Sequence, residues 1–414
     1  MSLILPFRAY RPRPEQAREV ASFPYDVVSS DEARALARGN PVSFLHVCKP
    51  EIDLDPAFPI HDDRVYARGR ENLRRFIADG ILARDPAPHL YVYQQRMGSH
   101  VQAGLVGLCS VREYERDLIK KHEHTRRDKE DDRTRHVTES NANAEPVFLA
   151  YRARKEIDAL VAGVRARPPA CDFVASDGIA HTLWVVDDPG EIEALARRFA
   201  DVPCLYVADG HHRTAAAVRH GQTMRARNPG AREDEPYEFF MAVVFPHDQL
   251  QILDYNRVVK DLNGLGAAEF LARIGERFVV GTGEAARPST PRTFGMFLEG
   301  QWHRLEAEPG TYPADDPIRG LDVSILQDNL LAPVLGIADQ RTDRRIDFVG
   351  GIRGMSELEQ RCREGWAVAF SLHPASLDQL MRVADAGMVM PPKSTWFEPK
   401  LRSGLTVRLL EDIA

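Results

Sequence analysis

The sequence has few cysteines and no long apolar run. Its cysteines are odd in number, lie far apart and include no Cys-x-x-Cys pair: Cys48, Cys109, Cys171, Cys204 and Cys362. This pattern indicates neither a disulfide framework nor a structural zinc site, and free thiols in a reducing compartment are expected. No stretch approaches the roughly 18 apolar residues of a membrane helix, and the first residues lack a signal-peptide pattern. We therefore expect a soluble, cytoplasmic protein with no membrane partner.

The sequence also has fewer basic than acidic residues. The 414 residues include 54 Lys and Arg against 61 Asp and Glu, which gives a formal net charge of -7. Because nucleic-acid binding needs a basic face, we expect no nucleic-acid partner. The overall charge does not exclude a local basic pocket. Apolar residues make up 43% and charged residues 28% of the chain, values typical of folded globular proteins.

Strand-like and helix-like segments alternate along the chain. Apolar runs at 145–151 and 239–245 indicate buried strands, and hairpins are predicted within 90–111 and 171–186. Residues 62–79 have the pattern of an amphipathic helix. This alternation predicts a mixed α/β (α+β) fold rather than a helix bundle or a sandwich.

The length indicates more than one substructure, or one large mixed domain. We place a division between residues 253 and 254. Residues 1–253 form the predicted catalytic, phosphate-binding region. Residues 254–414 form a further α/β region that could complete the site.

The strongest motif is a strand, a turn and a helix that together suit phosphate. A short apolar strand leads into Gly210, which allows a positive φ or a close backbone approach. A helix is predicted from Thr214, and a helix N-terminus offers N–H groups and a positive dipole end to an anion. Arg213 supplies a forked cation, and the Thr214 hydroxyl could cap the helix or bind a phosphate oxygen. The spacing is neither that of a P-loop nor that of a dinucleotide fingerprint.

Three further side chains of this motif are candidates for chemistry. Asp209 could take a proton from a hydroxyl or help to hold a metal ion. His211 and His212 are adjacent, so we expect one of them to face the site and the other to pack. The alternative is an ordinary strand–helix turn with solvated polar residues.

A second cluster lies in the polar segment 114–143, which has few apolar residues. Its candidate residues are Lys120, Lys121, His122, Glu123 and Arg126. The lysines and the arginine suit phosphates, whereas the glutamate and the histidine suit proton transfer or a metal ion. The spacing matches no zinc motif. A solvated helix face or a mobile loop is the alternative.

A third candidate is the tail that contains Lys393 and Ser394. Both side chains could contact phosphate, and a surface turn is the alternative. There is no Gly-x-Ser-x-Gly elbow in this stretch, so a serine hydrolase is not favoured.

Several of these runs resemble, in order, domain-of-unknown-function family 1015. The runs are PYDV (24–27), NPVSFLHV (40–47), IKKHEHTRRDKEDDRTRH (119–136), EPVFLAY (145–151), ADGHHRT (208–214) and MPPKSTWFEPKLRSGL (390–405). The ADGHHR run also resembles the phosphate-binding signature of the ParB/sulfiredoxin-like fold, which includes free-serine kinases. The resemblance therefore implies a ParB/sulfiredoxin-like catalytic core, followed by an additional α/β block.

The resemblance also implies an activity. It is that of a nucleotide-dependent phosphotransferase, which moves phosphate between ADP or ATP and L-serine or O-phosphoserine. Asp209 would be the general base toward the serine hydroxyl, and the run 210–213 would bind the phosphates. Glu123 is a candidate second acidic group because basic residues surround it in the sequence. A magnesium ion is inferred, since phosphoryl transfer requires neutralisation of spread negative charge.

Two alternatives stay open at this point. One is a non-catalytic nucleotide- or metabolite-binding regulator on the same fold, and the other is a phosphoserine phosphatase that uses water as acceptor. The expected partners are small molecules, and a homodimer is left open.

Overall fold

The computed structural model describes residues 4–282 and 286–410. The chain forms two compact units, residues 1–250 with 399–414 and residues 251–398. The predicted division at 253 and 254 lies beside the first boundary, and the segment after Glu398 returns to the first unit.

The strands of the described ranges follow in chain order. They are β1 Tyr10–Pro12, β2 Leu82–Arg84, β3 Leu90–Met97, β4 His100–Ser110, β5 Ile119–Lys120, β6 Ala142–Asn143, β7 Val147–Tyr151, β8 Cys171–Val174, β9 Ala180–Val186, β10 Leu205–Asp209, β11 Phe239–Pro246, β12 Gln251–Leu253, β13 Tyr255–Val259, β14 Phe278–Thr282, β15 Thr293–Leu298, β16 Gln301–Ala307, β17 Ile346–Gly350, β18 Val368–Leu372, β19 Trp396–Glu398 and β20 Arg408–Leu409.

The α-helices of the same ranges are named likewise. They are α1 Ala17–Val20, α2 Ser30–Ala37, α3 Leu45–Cys48, α4 Asp63–Ala78, α5 Val111–Glu115, α6 Arg127–Ser140, α7 Lys155–Arg165, α8 Pro189–Ala200, α9 His211–Arg227, α10 Ala267–Ile274, α11 Asp322–Leu326, α12 Met355–Arg363 and α13 Leu377–Asp385. The predicted mixed α/β class is confirmed.

A mixed sheet runs through the first unit. Among the described residues its strands have the order β5-β10-β7-β11-β4-β3-β9-β8. β5 pairs with β10, and β7 with β11, in parallel, whereas the other neighbours are antiparallel. Because β5 and β10 run in the same direction, the residues that follow each of them lie at the same edge of the sheet.

The inner strands of this sheet are buried on both faces. Every residue of β7 is buried, and β11 is buried after its first residue. This burial on both faces explains why both sequences read as continuous apolar runs rather than as alternating ones. The strands predicted at 145–151 and 239–245, the two hairpins and the helix predicted at 62–79 are confirmed.

Helix α6 accounts for much of the polar segment. It packs against α4 and α9 and buries Arg133, His136 and Ser140. The imidazole Nε2 of His136 lies 2.9 Å from the Val47 carbonyl oxygen. Arg133 forms a 2.7 Å ion pair with Asp132. A solvated helix face therefore describes only part of this segment, because its inward polar groups are bonded within the protein.

The second unit has an antiparallel sheet of its own. Its strands have the order β14-β16-β15-β18-β13-β17 within the described part of the chain. One cluster of buried side chains joins β13, β15, β17 and β18 to α12. None of the described helices has both the length and the apolar character needed to cross a membrane.

Candidate functional site

The turn between β10 and α9 is built around Gly210. Its φ of 84° and ψ of 33° are left-handed, a conformation that glycine adopts without steric cost. A Cβ atom at this position would lie 3.0 Å from Nε of Arg213. The turn therefore requires glycine for its φ and for the close approach of the guanidinium.

Helix α9 begins at His211, so the predicted start at Thr214 is wrong. The backbone N–H and the hydroxyl of Thr214 both donate to the Gly210 carbonyl, at 2.9 and 3.0 Å. Thr214 is fully buried and holds the first helical turn closed. Since this is the first bond of the helical ladder, the backbone N–H groups of residues 211–213 precede it, as at any helix N-terminus.

The carboxylate of Asp209 lies directly before this turn. One oxygen accepts from the backbone N–H of Gly210 at 2.9 Å, and the other lies 3.0 Å from Nζ of Lys400. Burial by itself would raise the pKa of Asp209, but the charges of Lys400 and Arg213 outweigh it and hold that pKa below its usual range. Asp209 is therefore a carboxylate at neutral pH, and 26% of its side chain is exposed.

Lys400 was not among the residues selected from the sequence. It comes from the segment after Glu398 and belongs to the first unit. The side-chain amide of Gln95, which is fully buried, donates to the Lys400 carbonyl at 2.7 Å and fixes its backbone. The one available signal was its position in the run MPPKSTWFEPKLRSGL.

The guanidinium of Arg213 contacts other groups of the protein. Nη1 donates to the Pro146 carbonyl at 2.6 Å, and Nη2 lies 3.7 Å from the carboxylate of Asp26. Burial opposes its charge, but Asp26, Asp209 and Glu145 together raise the pKa of Arg213. It is therefore a fixed positive charge beneath the turn.

Glu145 and Asp26 are acidic residues close to Arg213 that the sequence motifs did not single out. Glu145 is buried and accepts from the backbone N–H of Tyr25 at 3.0 Å and from the Ser403 hydroxyl at 3.1 Å. Burial raises the pKa of Glu145, and Arg213 is the largest opposing influence. Both acids lie in runs that carry the family resemblance, PYDV and EPVFLAY, which was the available signal.

The two predicted clusters, 120–126 and 209–214, come together in the structure. The register of β5 on β10 places Lys120 opposite Tyr206. The rings of His122 and His211 meet edge to face, with centroids 4.5 Å apart. One ligand atom each from His122, Glu123 and His211 lies within 4.8 Å of the others.

Burial sets the charge of both rings. It lowers the pKa of His122 to about 4. It also lowers the pKa of His211 well below its usual value, and the neighbouring His122 adds to this effect. Both imidazoles are therefore neutral at pH 7.

The ring of His212 has a different partner from that of His211 and connects the start of α9 to the segment 120–126. Its Nε2 accepts from the backbone N–H of Arg126 at 3.0 Å. Burial lowers the pKa of His212, which keeps the ring in the neutral form that can accept this bond. His211 and His212 therefore have different partners, and the prediction that one of them faces the site while the other packs stays a prediction.

Two other predicted phosphate ligands, Lys121 and Arg126, have contacts within their own segment. The ammonium of Lys121 lies 4.9 Å from the ring centroid of Tyr114. The guanidinium of Arg126 pairs with Asp128 at 2.8 Å and is 72% exposed. Lys120 is half-buried in β5.

Lys393 and Ser394 belong to the second unit. The Lys393 carbonyl accepts from Arg257 at 3.1 Å, and the Ser394 hydroxyl donates to the Pro391 carbonyl at 2.6 Å. Lys393 has a φ of 56°, which fits a turn. Their predicted contact with phosphate stays a prediction.

A family model described as "Protein of unknown function (DUF1015)" matches residues 4–324. The chain belongs to this family. The match spans most of the first unit and part of the second, and it confirms the resemblance inferred from the sequence runs. No curated protein matches this DUF1015 chain.

Solved structures similar to this DUF1015 chain include those of free serine kinase. A mutant in complex with ADP is 16% identical, with 74% of this chain and 93% of that chain covered and a TM-score of 0.38. The complex with AMP is 17% identical, with 74% and 92% covered and a TM-score of 0.37. SbnI with a C-terminal truncation, from Staphylococcus aureus, is 12% identical, with 75% and 90% covered and a TM-score of 0.37.

Proposed function

We propose that this chain is a nucleotide-dependent phosphotransferase that moves phosphate between ADP or ATP and L-serine or O-phosphoserine. The position of Asp209 carries the proposal. An ionised, partly exposed carboxylate precedes a left-handed glycine and the start of α9. A group that can engage a hydroxyl thus stands next to a helix N-terminus, which favours phosphate.

The charges around the turn support phosphoryl transfer. This reaction depends mainly on positioning and on neutralising negative charge on the transferred group. The N–H groups at the start of α9 and the ammonium of Lys400 would contact the phosphates, and Lys120 stands one strand away. Arg213 would act as a buried positive charge beneath them, because Pro146 and Asp26 engage its guanidinium.

Asp209 would orient the serine hydroxyl and accept its proton. Its lowered pKa makes it a weak base, but a loose transition state needs little proton removal before the new phosphorus–oxygen bond forms. As that bond forms, the bond between the transferred phosphorus and the bridging oxygen of the nucleotide breaks, and the proton passes to the carboxylate. ADP leaves when ATP is the donor, and AMP leaves when ADP is the donor. In the opposite direction Asp209 returns the proton to serine.

Magnesium fits the site through oxygen ligands. Mg²⁺ prefers carboxylates, water and substrate phosphates, and the nucleotide would bring its phosphates to the turn. In this proposal the nucleotide phosphates and water would hold the ion, while Asp209 would act on the serine hydroxyl. When bound, the ion would neutralise phosphate charge.

Phosphorus NMR tests the proposal with two tubes. One contains protein, magnesium, ADP and O-phosphoserine, and the other contains protein, magnesium, ATP and L-serine. We expect ATP and serine to form in the first tube, or phosphoserine in the second. The Asp209→Asn variant should bind nucleotide, as measured by isothermal titration, yet lose about 100-fold or more in turnover.

The matched control is Asp187→Asn, which removes an exposed carboxylate and should leave turnover unchanged. Failure of the wild-type chain to bind ADP or ATP would refute the proposal. Nucleotide binding without turnover would identify a regulator. Inorganic phosphate as the one product would identify a phosphatase that uses water.

A further inference from the structure

His122, Glu123 and His211 bring three ligand atoms together beside the turn. One nitrogen or oxygen from each lies within 4.8 Å of the others. His122 is 2% exposed and His211 6% exposed, while Glu123 is half-buried. We propose that these three side chains bind a divalent first-row transition-metal ion of the zinc, iron or manganese class.

The ligand types select this class of metal. Two imidazoles and one carboxylate suit zinc and other first-row transition ions, whereas Mg²⁺ and Ca²⁺ prefer oxygen ligands alone. A metal bound at about 2.0–2.2 Å holds its ligand atoms roughly 3–4 Å apart. Small side-chain movements are therefore enough to close the cluster around an ion.

The surroundings of both histidines fit coordination. The ring of His122 has a hydrogen bond with the backbone of Val207, the kind of outer contact that orients a metal-binding imidazole. Nε2 of His211 is buried and has no hydrogen-bond partner among the described residues. A metal ion would satisfy this nitrogen.

Two paired strands and one hydrogen bond hold the three ligand residues in place. His122 and Glu123 follow β5, and His211 follows β10, its parallel neighbour. The bond between His212 and the backbone of Arg126 ties the two segments together. The positive end of α9 opposes a cation at His211, but the carboxylates of Glu123 and Asp209 offset it.

This site goes beyond the proposed phosphotransferase, whose Mg²⁺ would arrive with the nucleotide phosphates. Three protein ligands leave a coordination position for water or a phosphate oxygen. An ion held there would polarise that oxygen as a Lewis acid. The inference concerns ion binding by the chain itself and needs no nucleotide.

Metal titration of the full-length, chelator-treated protein tests the site without nucleotide. Co²⁺ should produce visible absorption bands, and Zn²⁺ should bind at one ion per chain and displace it, with magnesium present in excess. His122→Gln and Glu123→Gln should each weaken Zn²⁺ binding at least about 10-fold. His124→Gln, an exposed imidazole of the same segment, is the control and should bind like the wild type.

Circular dichroism checks that each variant is folded, and Glu123→Gln is the conservative choice because Glu123 is only half-buried. Absence of stoichiometric Co²⁺ and Zn²⁺ binding to the wild-type chain would overturn the inference. So would unchanged affinity in both ligand variants, or an equal loss in His124→Gln. Because the readout is ion binding alone, its outcome is separate from that of the phosphotransfer assay.

Discussion

At the scale of single residues, the charge of Asp209 depends on a side chain that is distant in the sequence. Lys400 lies 3.0 Å from the carboxylate, and the buried amide of Gln95 holds the Lys400 backbone. The sequence predicts Asp209 from its place before a Gly-His-His-Arg turn. No local sequence pattern links residue 400 to residue 209. The contact forms in the folded chain, where strands pair and the segment after Glu398 returns to the first unit.

Replacing Lys400 with methionine tests this dependence. Lys400→Met removes an attractive charge, so the pKa of Asp209 should rise from its lowered value. If the carboxylate is the active form, turnover falls as pH drops through this pKa, and the acidic limb of the pH–rate profile should move to higher pH. Turnover at neutral pH should also fall by about 100-fold, as when one donor to a developing charge is lost.

The control for this variant is Lys155→Met, which removes an exposed lysine from α7 and should leave the pH–rate profile unchanged.

The pH dependence of stability offers a second measurement of the same effect. A carboxyl with a lowered folded pKa adds stability above its unfolded pKa of about 3.9, and this contribution is lost as pH falls through the folded pKa. Lys400→Met should shrink that pH-dependent contribution. If the acidic limb of the pH–rate profile of Lys400→Met stays at the wild-type position, Lys400 does not set the pKa of Asp209.

At the scale of helices and strands, local patterns predicted most elements but not their partners. Helix α4 and strands β7 and β11 were predicted because periodicity and apolar runs are local properties. The parallel pairing of β5 with β10 was not, since β5 has two residues and no pattern of its own. That pairing brings residues 122–123 beside residue 211.

The start of α9 was also predicted too late in the sequence. Histidines and an arginine read as turn residues, yet they form the first helical turn because Gly210 adopts the left-handed conformation. Helix α6 was hard to predict for a different reason. Its inward face is made of Arg133, His136 and Ser140, so the usual apolar stripe is missing.

Gly210→Ala tests the turn that opens α9. A left-handed φ costs a residue with a Cβ roughly 1–2 kcal/mol, and crowding against the Arg213 guanidinium at 3.0 Å adds to this. We expect the free energy of unfolding, measured with urea, to fall by about 1–3 kcal/mol.

Gly163→Ala is the matched control. Gly163 lies inside α7, and an added Cβ would meet nothing within 4 Å. This change should stabilise the protein by about 0.5–1 kcal/mol. Equal effects of the two substitutions would contradict the role given to the Gly210 turn.

At the scale of the whole molecule, the chain leaves the first unit at residue 250 and returns to it at residue 399. The returning segment is buried at Leu401, Leu405 and Val407 and supplies Lys400 to the candidate site. Composition alone could not reveal this return, because the segment reads as an irregular tail. The sequence division at 253 and 254 assigned these residues to the second region.

Leu405→Ala tests whether the returning segment stabilises the first unit. Leu405 is 3% exposed, and truncating a buried leucine costs about 2–5 kcal/mol. Hydrogen exchange should show the resulting loss of protection in strands of the first unit, such as β7 and β11. Leu380→Ala is the matched change in the second unit, in the buried face of α13, and should deprotect β13 and β18 instead. Loss of protection confined to the second unit in Leu405→Ala would mean that the returning segment does not stabilise the first unit.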